Sequence, residues 1–433
     1  MDTFVEGRRT LRGSIRIPGD KSISHRAVML GCLASGESRI SGLSTAQDVA
    51  STVLAFQRMG MHIEFRGEET HIAGRGISGF MGEVGPQLPE IDCGNSGTTA
   101  RLLIGLLCGA RKRAVLTGDA SLRTRPMKRV VAPLNDHGAA IRMSGGHLPV
   151  ELTGGRVQPI HYSVPVPSAQ VKSSLMLAAL FLEGRSIIVE TVPTRDHTER
   201  MLLHMDGRIG VKRTTGGTQI HIMGLRELAP LDMTVPGDIS SAVFFIAAAL
   251  VTPGSSLTIR NVLINPTRAH ILNVLGRMGG RIEQEVREEF PEPVGDIHVR
   301  HSRLSGVRVG GSDIPLIIDE IPALAAAAMF ARGDTVVTGA GELRIKESDR
   351  IKGIVHMVRS FGGRIEESED GFTVYGRATT VPAEIDSFGD HRMAMAASVI
   401  ALATKGRSTI RNAECVDISF PGFFEVIEQN TAG

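Results

Sequence analysis

The residues best suited to chemistry are cations, hydroxyls and carboxylates that lie in short polar runs between apolar segments. The run at residues 18–26 (Pro-Gly-Asp-Lys-Ser-Ile-Ser-His-Arg) follows a strand-like stretch and precedes an apolar segment of helical character. This order predicts Lys21, Ser22 and Arg26 at a helix N-terminus, where free N–H groups and two cations bind a phosphate or carboxylate. The alternative is an ordinary Pro-Gly turn, a cap at Asp20 or Ser22, and two cations that face solvent.

The same run excludes a Walker-type nucleotide loop. That motif requires a glycine directly before the lysine, whereas Lys21 follows Asp20. Nucleotide hydrolysis is therefore not predicted.

Further polar runs precede apolar segments later in the chain. They lie at residues 95–101 (Asn-Ser-Gly-Thr-Thr-Ala-Arg), 123–129 (Arg-Thr-Arg-Pro-Met-Lys-Arg) and 168–172 (Ser-Ala-Gln-Val-Lys). Each run alone is explained equally well by solvated surface or by helix capping. Together they predict a site for a ligand that carries several negative charges.

The second half of the chain supplies the candidate acids and bases. Asp319 precedes Glu320-Ile321-Pro322, where an N-cap role for the aspartate is the simple structural alternative. The run 346–350 (Lys-Glu-Ser-Asp-Arg) has the alternative of a solvated helical face with i,i+4 pairs. Arg392 lies at the start of a Met- and Ala-rich helical segment. A carboxylate beside such cations acts in proton transfer only where its surroundings set its pKa near the working pH.

Composition sets limits on the class of protein. The chain has 433 residues, of which 42% are hydrophobic and 22% charged, as expected for a globular protein of two or more domains. A net charge of +2, two Tyr and no Trp give no indication of a nucleic-acid partner. The four cysteines lack metal-ligand spacing and predict free thiols in a reducing compartment. No signal core or membrane span is found, so we expect a cytoplasmic protein without a membrane partner.

Internal repetition predicts the fold. The phrase Pro-Gly-Asp recurs with its following apolar helix, at Gly19 and Gly237, an offset of 237 − 19 = 218 residues. A helix that ends in glycine before a strand also recurs, most clearly at residues 56–63, 275–282 and 358–365 and more loosely near Gly138 and Gly207. We predict an α/β (α+β) protein with six helix-and-strand units, three in each of two domains. The expected domains are residues 1–18 with 237–433, and residues 19–236.

The motifs, taken together, resemble those of the 5-enolpyruvylshikimate-3-phosphate (EPSP) synthase family. The matching runs extend in order from Pro18 to Phe424. They are the run 18–26, Gly-Asn-Ser-Gly-Thr at 94–98, Arg-Pro-Met at 125–127, Ser-Ala-Gln at 168–170, Leu-Arg-Ile-Lys-Glu-Ser-Asp-Arg at 343–350 and Asp-His-Arg-Met-Ala-Met at 390–395. The resemblance implies a two-domain inverse α/β barrel. It also implies transfer of the enolpyruvyl group of phosphoenolpyruvate to the 5-hydroxyl of shikimate 3-phosphate, without a metal or organic cofactor.

The resemblance also implies a role for each matching residue. For shikimate 3-phosphate it implies Lys21, Ser22, Arg26, Ser168, Ala169, Gln170, Asp319 and Lys346. For phosphoenolpyruvate it implies Lys21, Asn95, Gly97, Arg125, Gln170, Arg350 and Arg392. Asp319 is expected to take the proton of the attacking hydroxyl, and Glu347 with Lys21 to deliver and later remove the methylene proton. Ligands from both halves imply closure on binding, and the expected partners are these two small molecules acting on a monomer.

Some positions depart from the family pattern. Where some members carry a Lys that contacts phosphoenolpyruvate, this chain aligns Ile418, and it has Ala169 and His197 where others have Ser and Tyr. The runs Arg-Asp-His-Thr-Glu at 195–199 and Asn-Pro-Thr-Arg at 265–268 resemble the second class of the family, noted for tolerating glyphosate. Gly97 differs from the Ala of a well-known tolerant form, so tolerance is a hypothesis that a low-micromolar inhibition constant would refute.

Two rival functions remain at this point. The sister enzyme that uses UDP-N-acetylglucosamine typically carries a Cys before Arg-Pro, and residues 118–125 contain none. A non-catalytic anion-binding protein of the same fold would be expected to lack Asp319 or Glu347, and both are present.

Overall fold

The computed structural model describes residues 1–7, 9–82 and 89–432. The chain divides into two compact units, one of Met1–Pro18 with Pro236–Gly433 (unit 1) and one of Gly19–Val235 (unit 2). Both crossings lie at a Pro-Gly-Asp turn, and the strand Thr10–Arg16 that precedes the first turn belongs to unit 1.

Unit 2 contains three repeats of strand, helix, strand, helix and two strands. In each four-stranded sheet the order is first, second, fourth, third; the first two strands are parallel and the others antiparallel. Repeat 1 has strands Asp232–Thr234, Ser35–Ser41, His62–Arg66 and Glu69–Arg75, with helices Lys21–Leu33 and Gln47–Arg58. Repeat 2 has strands Glu90–Asp92, Ala114–Thr117, Ala139–Met143 and Val150–Gly155, with helices Gly97–Gly109 and Lys128–Asp136. Repeat 3 has strands His161–Val164, Arg185–Glu190, Ile209–Thr214 and Gly217–Met223, with helices Ala169–Ala179 and His197–His204.

Unit 1 contains repeats 4 to 6 on the same plan. Repeat 4 has strands Thr10–Arg16, Ser256–Leu263, Arg281–Glu288 and Val294–Arg300, with helices Ile239–Val251 and His270–Arg277. Repeat 5 has strands Arg308–Val309, Asp334–Val337, Arg364–Ser368 and Gly371–Tyr375, with helices Ile321–Ala328 and Arg350–Ser360. Repeat 6 has strands Glu384–Asp386, Arg407–Arg411 and Thr3–Glu6, with helices His391–Ala403 and Phe423–Asn430. Three short elements lie outside this plan: the helices Gly76–Phe80 and Ile314–Ile317 and the strand Thr431–Ala432.

The first helix of each repeat is buried and forms the core of its unit; we call it the inner helix, and the second the outer helix. All thirteen residues of the inner helix Ile239–Val251 are buried, as its uniformly apolar sequence requires. The three inner helices of unit 1 contact one another, and in unit 2 that of repeat 2 contacts both others. The polar runs 18–26, 95–101 and 168–172 lie at the N-termini of inner helices, and the runs 123–129 and 346–350 lie at the start of outer helices.

Glycines end the outer helices where the sequence predicted. Gly60, Gly138, Gly279 and Gly362 have φ of +80°, +98°, +90° and +83°, the left-handed conformation that turns the chain into the next strand. Repeat 3 differs from the prediction, because Asp206 at φ +57° takes this conformation instead of Gly207.

Within the described part of the chain, no helix has both the length and the apolar character needed to cross a membrane.

Candidate active site

Most of the predicted binding residues of unit 2 lie at or near the N-termini of its three inner helices, whereas Arg125 lies just before the outer helix of repeat 2. Lys21, Gly97 and Ala169 are the first residues of these helices. The caps Asp20, Ser96 and Ser168 accept hydrogen bonds from the N–H groups of residues two or three positions into the helix. Capping and ligand binding are thus not alternatives here, because the cap occupies one N–H and leaves the positive helix end in place.

Lys21 is held by a carboxylate that the sequence did not identify. Its Nζ lies 3.2 Å from Asp48 Oδ2, and both side chains are about four-fifths buried (17% and 20% exposed). Asp48 lies in the first turn of the outer helix of repeat 1, where an acidic residue is ordinary. Nothing in the sequence distinguishes Asp48 from an acidic residue that only stabilises the N-terminus of its own helix.

Arg26 is buried (3% exposed), so the alternative that it faces solvent is wrong. Its Nε donates to Thr198 Oγ1 at 2.7 Å, Nη2 to Ser173 Oγ at 2.6 Å and Nη1 to the Ser22 carbonyl at 2.9 Å. Ser22 also accepts a hydrogen bond from Arg195 Nη1 at 3.3 Å. Arg195 therefore joins this group, although the sequence analysis gave it no binding role.

His25, between these residues, is neutral. It is 2% exposed, and burial lowers its pKa to about 4. Its Nδ1 hydrogen bonds with Thr52 Oγ1 at 2.7 Å, which ties the inner helix of repeat 1 to the neighbouring outer helix.

Arg125 and Asn95 form one hydrogen-bonded group. Arg125 Nη2 donates to Asn95 Oδ1 at 2.6 Å, and Asn95 Nδ2 donates to Asp119 Oδ2 at 2.6 Å. A Cβ placed on Gly97 would lie 2.9 Å from Arg101 Nη1 and 3.6 Å from Arg125 Nη1. The absent side chain at Gly97 therefore leaves room for two guanidinium groups beside a helix N-terminus.

Gln170 is oriented from both ends of its amide. Its Oε1 accepts from Arg101 Nη1 at 2.7 Å, and its Nε2 donates to Thr98 Oγ1 at 3.0 Å. Arg101, which the sequence grouped with the anion-binding runs, thus supports Gln170. Lys172 of the run 168–172 is fully buried and paired with carboxylates, so its predicted role in binding an anion is wrong.

In unit 1, three cations surround Asp319. Its Oδ1 lies 3.7 Å from Lys346 Nζ and 3.4 Å from Arg350 Nη1, and its Oδ2 lies 3.9 Å from Arg392 Nη2. Arg392 Nη1 also donates to the Asp319 carbonyl at 2.8 Å. Asp319 is not the N-cap of the following helix, because Glu320 occupies that position.

Arg350 is the buried centre of this group. It is 1% exposed; its Nη2 lies 2.5 Å from Glu347 Oε2 and its Nε 2.8 Å from Asp390 Oδ2. Burial alone lowers the pKa of Arg350, but Asp390, Glu347 and Asp319 together raise it above its ordinary value. Burial alone likewise raises the pKa of Asp390, and the charge of Arg350 lowers it below its usual range. The alternative of a solvated helical face at 346–350 is wrong, since the helix begins at Arg350.

Ile418 is half-buried and packs against the apolar core of unit 1. An aliphatic side chain in that position offers no charge to an anion. Within the described residues, no group of three or more His, Cys, Asp and Glu side chains is placed to hold a metal ion. A cavity of about 270 Å³ in unit 2 lies between Lys128, Ala132, Tyr162 and Val166. Lys128 and Arg129 of the run 123–129 line it, but none of the residues to which the family resemblance gives a role does.

Known proteins resemble this chain over nearly its whole length. The family described as EPSP synthase (3-phosphoshikimate 1-carboxyvinyltransferase) matches residues 5–427. A 3-phosphoshikimate 1-carboxyvinyltransferase of Pelotomaculum thermopropionicum is 46% identical over 431 residues, covering 99% of this chain and 98% of that protein. One from Geobacter metallireducens is 45% identical over 431 residues, covering 99% of both.

Solved structures also resemble this chain over nearly its whole length. An EPSP synthase from Acinetobacter baumannii superposes with a TM-score of 0.87 at 39% identity, covering 99% of this chain and 98% of that chain. The enolpyruvyl transferase NikO from Streptomyces tendae has a TM-score of 0.77 at 19% identity and 99% coverage of both chains, and so shares the fold.

Proposed function

The chain belongs to the EPSP synthase (3-phosphoshikimate 1-carboxyvinyltransferase) family, and we propose that the residues described above divide that family's reaction between them. The enzyme transfers the enolpyruvyl group of phosphoenolpyruvate to the 5-hydroxyl of shikimate 3-phosphate and releases phosphate, a step in the synthesis of aromatic amino acids. The observation that carries the division of roles is the set of three cations around the single carboxylate of Asp319.

Shikimate 3-phosphate is assigned to the helix N-termini of repeats 1 and 3 together with part of repeat 5. These positions offer N–H groups, hydroxyls and cations to a phosphate and a carboxylate. The assigned residues are Lys21, Ser22, Arg26, Ser168, Ala169, Gln170, Asp319 and Lys346. Arg195 is added to them, because its hydrogen bond to Ser22 holds a guanidinium beside the same helix N-terminus.

Phosphoenolpyruvate is assigned to three further arginines and to four residues that offer a lysine ammonium, side-chain amides or a glycine backbone. They are Lys21, Asn95, Gly97, Arg125, Gln170, Arg350 and Arg392. Most of these side chains are already fixed by hydrogen bonds, so they bind the anion without reorganising, which is the basis of electrostatic preorganisation. The positive charges offset the repulsion between two substrates that each carry a phosphate and a carboxylate.

The chemical steps follow from these positions. The 5-hydroxyl oxygen attacks C2 of phosphoenolpyruvate while its proton passes to Asp319, and Glu347, assisted by Lys21, protonates C3. The resulting tetrahedral intermediate then loses phosphate from C2 and a proton from C3, which restores the double bond in the product. Three cations surround Asp319, and the negative charges of the bound substrates offset them.

Replacing Asp319 tests the assignment. Asp319→Asn and Asp319→Ala are expected to lower kcat by roughly 10²- to 10⁴-fold, the usual range for loss of a general base, with the dissociation constant for shikimate 3-phosphate changed only a few-fold. Phosphate release measures turnover and calorimetry measures binding. The exposed carboxylate of the same unit, Asp334→Asn, serves as the control and is expected to have wild-type activity. Full activity in Asp319→Ala would remove Asp319 from the mechanism.

The acceptor is tested in the same assay. UDP-N-acetylglucosamine in place of shikimate 3-phosphate is expected to release no phosphate above background. We further propose a cytoplasmic monomer; the cytoplasmic location is supported by four cysteines that are all free and buried, as in a reducing compartment. Light scattering of the purified protein measures the oligomeric state.

A further inference from the structure

Repeat 3 contains a fully buried lysine that the reaction does not use. Lys172, on the inner helix, is 0% exposed, and its Nζ lies 2.7 Å from Glu199 Oε1 and 3.1 Å from Glu190 Oε1. Glu199 belongs to the outer helix and Glu190 ends the strand Arg185–Glu190. One ammonium therefore joins three separate elements; we call these three residues the buried triad.

The ammonium charge is maintained in this environment. Burial alone lowers the pKa of Lys172, but the charges and hydrogen bonds of Glu199 and Glu190 outweigh it and raise the pKa above its ordinary value. Glu190 is fixed at its other oxygen, since Thr194 Oγ1 donates to Oε2 at 2.7 Å. A buried charge held in this way keeps its partners in one geometry, because leaving either of them unpaired in the interior is costly.

The residues next to the triad in sequence hold Arg26. Ser173 follows Lys172, and Thr198 precedes Glu199. Thr198 Oγ1 donates to Ser173 Oγ at 2.8 Å, and both hydroxyls accept from the Arg26 guanidinium, at 2.7 and 2.6 Å. The backbone positions of these two hydroxyls are set by the helices that Lys172 and Glu199 join.

The triad also fixes both ends of the loop that carries Arg195. Glu190 lies immediately before this loop and accepts from the N–H of Thr194 within it, and Glu199 lies in the first turn of the helix that follows. Arg195 donates to Ser22, the neighbour of Lys21. Two of the cations assigned to shikimate 3-phosphate thus depend on the same three buried residues.

We propose that Lys172 is a positioning residue for shikimate 3-phosphate, acting through Glu199 and Glu190 to fix Arg26 and Arg195. The proposal rests on the proposed function, because it concerns the substrate assigned there. Lys172, Arg26, Glu190 and Glu199 are all buried. Lys172 therefore acts through the geometry of its partners, and contact with the phosphate is assigned to Arg26 and Arg195.

The test uses variants in which no member of the triad is left charged and unpaired. Glu199→Gln keeps Lys172 paired with Glu190, and the combined variant Lys172→Met/Glu190→Gln/Glu199→Gln removes all three charges with similar volume. We expect the dissociation constant for shikimate 3-phosphate, measured by calorimetry without phosphoenolpyruvate, to rise about threefold in Glu199→Gln and about tenfold in the combined variant. We expect the KM for phosphoenolpyruvate to change less than about threefold.

Thr198→Val tests the connection to Arg26 directly. It removes one hydroxyl from the guanidinium without touching the triad, and it is expected to weaken shikimate 3-phosphate binding about fivefold. Added to the combined variant, it is expected to produce less than its separate effect, because the two changes disturb the same arginine. Lys112→Met is the control: this lysine of the same unit lies 5.2 Å from the ring of Phe80, outside the triad.

The outcomes separate three cases. If the wild-type protein does not turn over shikimate 3-phosphate and phosphoenolpyruvate, the proposed function fails. If the wild type is active and both triad variants bind shikimate 3-phosphate within twofold of it, the positioning role is overturned. An equal loss for both substrates, or full additivity with Thr198→Val, would also overturn it by showing a general effect on folding. Should the combined variant not fold, Glu199→Gln and Thr198→Val decide the question by the same criteria.

Discussion

Gly97→Ala is the substitution whose effect can be worked most directly from the structure. Gly97 begins the inner helix of repeat 2, and its added Cβ would lie 2.9 Å from Arg101 Nη1. Ordinary van der Waals contact begins at 3.4 Å, so the guanidinium must move by 3.4 − 2.9 = 0.5 Å. The same Nη1 donates to Gln170 Oε1 at 2.7 Å, and a shift of this size weakens or breaks that hydrogen bond.

The loss has an expected size. A hydrogen bond from a charged donor contributes about 1.5–3 kcal/mol, and weakening it by half costs on the order of 1 kcal/mol, or about fivefold in affinity. Because Gln170 is assigned to both substrates and the methyl group lies beside Arg125, we expect the KM for phosphoenolpyruvate to rise at least fivefold. Stability should not fall, since alanine is favoured over glycine in a helix by up to about 1 kcal/mol.

Steady-state kinetics and thermal unfolding of the same preparation provide the test. Gly276→Ala is the matched control, because Gly276 lies in the outer helix of repeat 4 with nothing within 4 Å of its added Cβ. That variant should become more stable and keep its KM values. A KM for phosphoenolpyruvate within twofold of wild type in Gly97→Ala, or an equal change in the control, would refute the steric reasoning.

Two other expectations concern stability. Asp390→Ala removes both the cap that accepts from Arg392 N at 3.0 Å and the carboxylate that lies 2.8 Å from the buried Arg350. We expect about 3–5 kcal/mol of destabilisation in urea unfolding, and a loss below 1 kcal/mol would contradict the importance of the buried pair. Partial burial alone raises the pKa of Glu227, but hydrogen bonds from Ser78, Ser35 and Ile77 N outweigh it and lower the pKa to about 2. A carboxyl whose pKa is depressed on folding stabilises above its unfolded pKa of about 4.5, and this stabilisation is lost as the pH falls towards 2. The difference in Tm between wild type and Glu227→Gln should therefore shrink from pH 6 to pH 2.5, and a constant difference would argue against this role.

The parts of the fold visible in the sequence are those set by local geometry. Within the described residues, a left-handed glycine follows four of the six outer helices and a side-chain cap precedes five of the six inner helices, and both signals act within a few residues of their position. Repetition of these signals is what predicted six units. In repeat 3, Asp206 takes the left-handed conformation instead of Gly207. Aspartate tolerates this conformation better than most residues, so the glycine does not mark the turn in the sequence.

The parts that the sequence did not show are pairs set by tertiary contact. Asp48 joins Lys21 across 27 positions and Asp390 joins Arg350 across 40, and neither carboxylate has a local feature that marks its partner. The position of Lys172 near a helix N-terminus predicts an anion-binding residue, whereas the packing of repeat 3 buries it completely. Charged residues near helix starts look alike in a sequence, and only their neighbours in space distinguish a cation that is available to a ligand from one that is already paired.

The parallel pairing of Thr10–Arg16 with Ser256–Leu263 has a consequence for biosynthesis. The ribosome makes the first of these strands 256 − 10 = 246 residues before the second. At about 5–20 residues per second, the amino-terminal strand waits on the order of 12 to 50 seconds for its partner. The whole of residues 19–235 emerges during that interval, so the nascent chain has time to complete one body while the beginning of the other remains unassembled.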